Sequence, residues 1–344
     1  MAPAKVNLTL AVVGRRPDGF HEIHSVMVPL DLADRVVLGP APGPLDHLDV
    51  QGPGGGPAPD LGPEPANLAL RALATARQAL REAGVDGPLP SLAVRLEKLI
   101  PVAAGLAGGS SDGAAVLDGA LEAWGAQERL SPAARLAAAA ELGSDCPFFL
   151  AGGWALVEGR GEQVERLPAP RGEPPGIVVV TPGLPISTAA AFASHAAGGQ
   201  PPRGAALATS AHLAAELRAG LTTARFLDRA GLLAVANDLL PAAAELVPAL
   251  LPLRRALGRL LGRPVGLSGS GPTLWALFPS RAEAEVAAAA VRRALAESSL
   301  VAPGERPCFV AAASLASPQP PSGAPAGGPG PPGSSSGRSG GSLR

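Results

Sequence analysis

Tyrosine is absent from the 344 residues, and seven phenylalanines and three tryptophans supply every aromatic ring. No phenolic hydroxyl is therefore available to any ligand. Cysteine is nearly absent too: Cys146 and Cys308 lie far apart, and neither sits in a Cys-x-x-Cys spacing, which argues against structural zinc. Two free buried thiols in a reducing cytoplasm are expected. Charge of one sign is missing, the formal net charge being -1, so nothing favours nonspecific binding of nucleic acid or an anionic membrane. No apolar run approaches the roughly 20 residues that span a bilayer. The run from Val6 to Val13 is interrupted by Asn7 and Thr9 and has no small-residue cleavage site, so it does not read as a secretory leader. A cytoplasmic protein with a small-molecule substrate, no nucleic acid and no membrane partner is expected, as a monomer or weak homodimer.

Glycine and proline are abundant, at 44 and 39 residues. Much of the excess falls in two places. From Gly39 to Pro65 the composition predicts a surface loop, interrupted at Leu45 to Val50 by a candidate edge hairpin. From residue 316 to the end there is almost nothing apolar to bury, and a disordered Gly/Pro/Ser tail is expected. Within it, Gly328 to Gly333 formally fits G-x-G-x-x-G, but it follows no strand and opens no helix, so it carries no nucleotide.

The length favours two domains. Strands are predicted over Val6 to Val12, Ile23 to Leu30, Val94 to Lys98, Trp154 to Glu158, Ile177 to Thr181, Thr273 to Phe278 and Cys308 to Ala313. Helical spacing appears over Leu68 to Ala83, Gly113 to Trp124, Ser131 to Leu142, Thr188 to Ala197, Ala211 to Leu217, Pro241 to Leu260 and Arg281 to Ala296. The order mixes strands and helices without a strict βαβ repeat, which favours α+β over a doubly wound sheet.

The most informative segment is Pro101-Val102-Ala103-Ala104-Gly105-Leu106-Ala107-Gly108-Gly109-Ser110-Ser111-Asp112, between a predicted strand and a predicted helix. Glycines let backbone N–H groups approach an anion, the helix start adds free donors and a positive dipole end, and Ser110 and Ser111 add hydroxyls. The alternative is a flexible turn with Ser111 or Asp112 as a helix cap. No Lys-Ser or Lys-Thr follows the glycines, which excludes a Walker A loop. A Gly-x-Ser-x-Gly elbow is also missing, and none of the five histidines belongs to a nucleophile motif, which disfavours a hydrolase.

Pro-x-x-x-Gly-Leu followed by small residues and Ser-Ser resembles the second signature of the GHMP kinases. Ala2-Pro3-Ala4-Lys5-Val6-Asn7-Leu8 resembles the first, and Leu267-Ser268-Gly269-Ser270-Gly271-Pro272-Thr273 the third. Further segments, Gly14 to Glu22, Leu142 to Phe149, Gly159 to Glu162, Ser187 to Ala189 and Asn237 to Leu239, are similar to the diphosphocytidyl-methylerythritol kinase branch. The resemblance covers about residues 2 to 315. It implies a two-domain GHMP kinase fold, with a ribosomal-protein-S5-like N-terminal domain over 1–160 and a ferredoxin-like C-terminal domain over 161–315. It further implies ATP and Mg2+, with 4-diphosphocytidyl-2-C-methyl-D-erythritol, an intermediate of the non-mevalonate isoprenoid route, as the alcohol phosphorylated.

Carried over by motif, Lys5 and Asp145 flank the acceptor hydroxyl, and residues 101 to 111 cradle the phosphates. Lys98 and Asn67 match positions near the adenosine. Asn7 and Thr188 match contacts to the methylerythritol part, and Gly269 matches the floor under the phosphate loop. Phe20 and His21 fall on one side of the cytosine and Phe192 on the other; many relatives carry Tyr at Phe20. Each has a plainer reading: Asp145 as a turn-closing residue, Lys5 as an edge charge that blocks strand pairing, His21 as a structural histidine beside a turn. A GHMP kinase for homoserine or mevalonate, and a non-catalytic protein that keeps the fold, are the competing functions.

Overall fold

The computed structural model describes residues 1–61, 67–198 and 204–315. A single long strand organises the first half of the chain. β3 (His21–Pro40) pairs antiparallel with β1 (Ala2–Asn7), β2 (Ala11–Arg15) and β6 (Ala155–Gly159) along its first part, and with β5 (Leu92–Glu97) along its last. At the edges, β4 (His47–Gln51) runs parallel to β5, and β7 (Gln163–Arg166) pairs with β6. The predicted hairpin at Leu45 to Val50 is therefore an edge strand. The first sheet holds the chain through Arg166, past the expected division at 160. Residues 62–66 of the Gly/Pro stretch and the expected tail, 316–344, lie outside the described residues.

The expected opening strand is broken in two. Thr9 is fully buried between β1 and β2, and its hydroxyl donates to Ser210 Oγ at 2.8 Å while accepting the Val26 amide at 2.9 Å. A polar side chain held inside by two partners replaces strand pairing there, which alternation of apolar residues does not reveal. Helices α1 (Leu68–Glu82), α2 (Gly108–Ala123), α3 (Pro132–Leu142) and α4 (Cys146–Ala151) pack on the far end of the sheet. Leu73, Leu80, Leu117 and Leu121 meet Val94 in one apolar cluster. Asn67 and Ser131 cap α1 and α3 with side-chain oxygens, as their residue types favour.

The second sheet, in the order β11-β8-β10-β9, is antiparallel: β8 (Gly176–Thr181), β9 (Gly266–Leu267), β10 (Leu274–Phe278) and β11 (Phe309–Ser314). Both of its faces are buried, and the strand period of two sorts the side chains. Val178, Val180, Leu274 and Ala276 face α9 (Leu240–Leu246), α10 (Leu250–Leu261) and α11 (Arg281–Ala296). Ile177, Val179, Trp275 and Leu277 instead join Val6, Val28 and Trp154 of the first sheet in a common core. The predicted helix from Pro241 to Leu260 is thus two helices. α5 (Thr188–Ala197), α6 (Ala205–Arg218), α7 (Thr223–Asp228) and α8 (Ala230–Leu233) complete the second half. Among the described residues no helix is long and apolar enough to cross a membrane.

Two features hold the glycine-rich segment between the sheets. Its carbonyls are tied back: Leu106 to the Lys5 amide at 3.0 Å, Gly105 to Ser268 Oγ at 3.0 Å, and Ala104 to Thr273 Oγ1 at 2.6 Å. Beneath the start of α2, the Lys98 ammonium sits buried between Asp34 and Asp112, 2.6 Å from Asp112 Oδ2 and in direct hydrogen bond with Asp34 Oδ2. The other Asp34 oxygen accepts the amides of Leu99 and Ile100 at 2.5 and 2.8 Å, so the approach to the loop is pinned to β3.

Gly105 has φ 77°, and a Cβ there would lie 2.7 Å from the carbonyl oxygens of both Ser268 and Gly271. Gly105→Ala is expected to cost at least about 2 kcal/mol of stability, from left-handed strain and the forced separation of the two segments, read as a lower unfolding midpoint. An unchanged midpoint would contradict this packing.

Asp112 shares one ammonium with a second carboxylate, and its pKa is pushed up from 3.8 to about 7, chiefly by burial, with Lys98 opposing and Asp34 adding. The folded state therefore binds more protons than the unfolded chain between these values. Stability from this group is present below about pH 4 and is lost as pH rises towards 7. Unfolding of Asp112→Asn across that range should show a flatter pH profile than the natural chain; parallel profiles would exclude Asp112 as the titrating group.

Candidate active site

A cavity of about 840 Å³ opens between the two sheets. Lys5, Asn7, Phe20, His21, Asp145, Thr188, Phe192 and Gly269 all line it, together with Gly105, Ala107 and Ser110 of the loop. Residues separated by more than 260 positions thus converge on one space.

At its centre Lys5 Nζ lies 3.7 Å from Asp145 Oδ2. Lys5 is buried on β1, where a bulge between Pro3 and Lys5 shifts the register against β3. It is not an edge charge. Its ammonium donates to Asn7 Oδ1 at 2.6 Å, and Asn7 Nδ2 donates to Ser25 Oγ at 2.8 Å, which in turn donates to the Thr9 carbonyl at 2.6 Å. This chain leaves Lys5 little freedom to turn away. Asp145 precedes α4 without capping it through its side chain, so its carboxylate is not spent on the local turn. Cys146, next along, is buried, and burial and the Asp145 charge push its thiol up to about 12. It stays protonated and offers no competing nucleophile.

The phosphate-loop residues divide into three groups. Gly105, Ala107 and Ser110 face the large cavity, whereas Pro101, Val102 and Ala103 line a second one of about 380 Å³ on the other side. Ala104, Leu106, Gly108 and Ser111 are buried behind them, and Gly109 is exposed. Ala103 and Ala107 both adopt left-handed backbone with φ 55°, an unusual cost for residues with a Cβ. Gly108 and Gly109, expected in a loop before a helix at Gly113, form the first turn of α2. The turn has no side-chain cap, which leaves its first amides free for an anion. Ser111 Oγ is buried without a partner, so Ser111 does not serve as a cap.

The third signature forms the floor. Gly269, at φ 58°, would place a Cβ 3.2 Å from Asn7 Oδ1. Asn237, whose buried amide donates to the Leu267 and Gly269 carbonyls at 3.0 and 2.9 Å, holds this turn in place. Thr188 Oγ1 lies 3.0 Å from Ser270 Oγ. Ser25 is a support that residue type and position in the chain do not single out, and Asn237, part of a matched segment, has no role assigned by that match; the fold puts both beneath the cavity.

Three of the expected groups already have partners within the protein. Two buried carboxylates hold the Lys98 ammonium. The Asn67 side chain is engaged in capping α1, accepting the Ala69 amide at 2.8 Å. The aromatic pocket is arranged differently from a two-sided clamp. His21 and Phe192 stack directly on each other, with centroids 4.8 Å apart and planes at 20°, and Phe20 lies apart under the Arg160 guanidinium at 5.3 Å. No base fits between rings at that distance. The His21 ring is pushed down in basicity, by burial first and then by the Arg15 charge. The segment matches give Arg15 and Arg160 no role, although both line the cavity.

Comparison with known proteins accords with this geometry. Residues 67–153 match the GHMP kinases N terminal domain, and residues 214–297 the GHMP kinases C terminal domain. A 4-diphosphocytidyl-2-C-methyl-D-erythritol kinase of Pelotomaculum thermopropionicum is 38% identical over 85% of this chain and 93% of its own length. Another, from Methylorubrum extorquens, is 43% identical over 85% of this chain and 94% of its own. A crystal structure of 4-(cytidine 5'-diphospho)-2C-methyl-D-erythritol kinase superposes with a TM-score of 0.62 at 32% identity, covering 91% of this chain and 98% of that one. The chain has the two-domain GHMP kinase fold, is an ATP-dependent small-molecule kinase, and belongs to the 4-diphosphocytidyl-2-C-methyl-D-erythritol kinase family of the GHMP kinases.

Proposed function

We propose that this kinase transfers the γ-phosphoryl group of ATP to the 2-hydroxyl of 4-diphosphocytidyl-2-C-methyl-D-erythritol, with Asp145 as general base and Lys5 as the cation beside it. The observation that carries the reading is the single cavity in which the Lys5–Asp145 pair, the uncapped start of α2 and the Phe20, His21 and Phe192 rings all meet. An acceptor hydroxyl at Asp145 gives up its proton to the free carboxylate as its oxygen bonds to the γ-phosphorus. The bond from that phosphorus to the bridging oxygen breaks, and ADP leaves. Lys5, fixed by Asn7, offsets charge on the group in transit. Phosphoryl transfer depends mainly on such positioning.

The donor set also suits Mg2+ that arrives with the nucleotide. Among the described residues no group of three His, Cys, Asp or Glu side chains is placed to hold a metal. Ser111 Oγ is a buried oxygen without a partner, and Ser110 lines the cavity beside it. These hydroxyls, with phosphate oxygens, would hold the ion, which neutralises phosphate charge when bound. The adenosine end is assigned to the neighbourhood of Lys98 and Asn67, whose own side chains are engaged within the fold.

At the other end, the His21 imidazole can read a base edge while Phe20 and Phe192 offer ring faces. The cytosine would stack on a free face of these rings or part His21 from Phe192. Homoserine and mevalonate have no ring for such a site.

ADP release with Mg2+ and four alcohols tests the reading: the cytidylated tetritol, the same tetritol without cytidine, homoserine and mevalonate. Turnover confined to the first is expected; preference for homoserine or mevalonate would move the chain to another substrate. Asp145→Asn should lower kcat by about 10²–10⁴-fold with little change in either KM, as expected for loss of a base. Lys5→Met should lower kcat by about 10²–10³-fold. If Asp145→Asn retained most of its turnover, Asp145 would not be the base.

A further inference from the structure

The cavity carries more positive charge than the transfer step uses. Asp145 is the only carboxylate among its lining residues, and it is matched by Lys5. Arg15 and Arg160 line it as well, and among the described residues neither has a carboxylate within ion-pair distance. Their neighbour Arg16 differs: it is committed to Asp18, Glu22 and Glu162 at 3.1, 3.5 and 3.8 Å.

Arg160 stands between the two ends of the site. It follows Gly159, which registers with Ile23 on β3, two residues from His21, and its guanidinium lies over the Phe20 ring. On the other side, Gly161 packs against Ser144 so closely that a Cβ would lie 2.6 Å from the Ser144 carbonyl oxygen. That contact fixes the segment to the turn carrying Asp145. One guanidinium nitrogen donates to the Ala140 carbonyl at 3.0 Å, which holds the group in place. A guanidinium has five N–H donors in a planar fork suited to an oxyanion, and the Phe20 face consumes none of them. A molecule with its hydroxyl at Asp145 and its base at the aromatic end must carry its phosphates past this point.

From this placement we infer that Arg160 binds the diphosphate of a nucleoside-diphosphate-linked alcohol and sets the preference for such acceptors over uncharged ones. The inference rests on the substrate reading above. Arg15, across His21 in the β2–β3 register, adds longer-range attraction.

The test is calorimetric titration of cytidine, CMP and CDP, with ADP saturating the nucleotide site, into the natural protein, Arg160→Gln and Arg160→Lys. The natural protein should bind CDP about ten- to a hundredfold more tightly than cytidine, the gain typical of charge-assisted hydrogen bonds. Arg160→Gln should bind cytidine as before and lose most of that gain, Arg160→Lys should keep part of it, and KM for ATP should not move. An undiminished CDP preference in Arg160→Gln, equal losses for cytidine and CDP, or a shift confined to ATP would each overturn the inference. The first two would leave Arg160 as a prop for Phe20, and the third would assign it to the phosphoryl donor. If the natural protein phosphorylated the cytidylated tetritol while Arg160→Gln kept its CDP preference, only this inference would fail. If the natural protein bound no cytidine compound and turned over another alcohol, the substrate reading would fail and this inference with it.

Discussion

The close approach of two glycine-containing backbone segments is the constraint on which the site depends. Gly105 fits against Ser268 and Gly271 only because it has no side chain, since a Cβ would lie 2.7 Å from both carbonyl oxygens. That proximity lets Ser268 and Thr273 satisfy the loop carbonyls and Lys5 donate its amide to Leu106. With carbonyls tied back on the floor, the loop keeps its amides for the ligand side and α2 starts without a cap. The loop belongs to one half of the chain and the floor to the other, so the same contact sets the spacing of the two domains. The shared apolar core of Val6, Val28, Trp154, Val179 and Trp275 makes that spacing a rigid one.

Charge is distributed according to the same logic. Lys98 is surrounded by carboxylates and serves the architecture, whereas Lys5 meets a single, half-exposed carboxylate that has no other task. Lys98 follows the strand that leads into the loop and Lys5, whose amide binds the loop, sits on β1, yet one is spent on burial and the other kept for chemistry. Buried ion pairs contribute little net stability against an apolar core, but removing one partner leaves an expensive charge behind. The Asp34–Lys98–Asp112 group therefore constrains where the loop begins more than it strengthens the fold.

Much of this was legible in the residues. The apolar patterns place α1, α5, α11 and β8 within a residue or two; α1 and α11 bury a regular apolar face, and β8 is a short apolar run buried on both sides. The three signatures identify the loop, the floor and the Lys5 strand, the first two through glycines where close backbone approach leaves no choice of residue. What stayed hidden depends on tertiary contact. The break at Thr9 is made by Ser210, two hundred residues away, and the start of α2 at Gly108 follows from a left-handed Ala107 that no propensity foretells. The short α4 has no amphipathic period to read. Residue type alone could not distinguish Lys98 from Lys5, nor Arg160 from the paired Arg16, since the difference lies entirely in which carboxylates the fold brings near. The stacking of His21 on Phe192 was equally invisible, because both rings were assigned roles by motif rather than by distance.

The most direct measurement is a crystal structure of the protein with a non-hydrolysable ATP analogue and 4-diphosphocytidyl-2-C-methyl-D-erythritol bound together. The account predicts the 2-hydroxyl within hydrogen-bonding reach of Asp145, and the terminal phosphate at the start of α2 in line with that hydroxyl. A complex in which the alcohol binds outside the 840 Å³ cavity, or presents a different hydroxyl to Asp145, would contradict it.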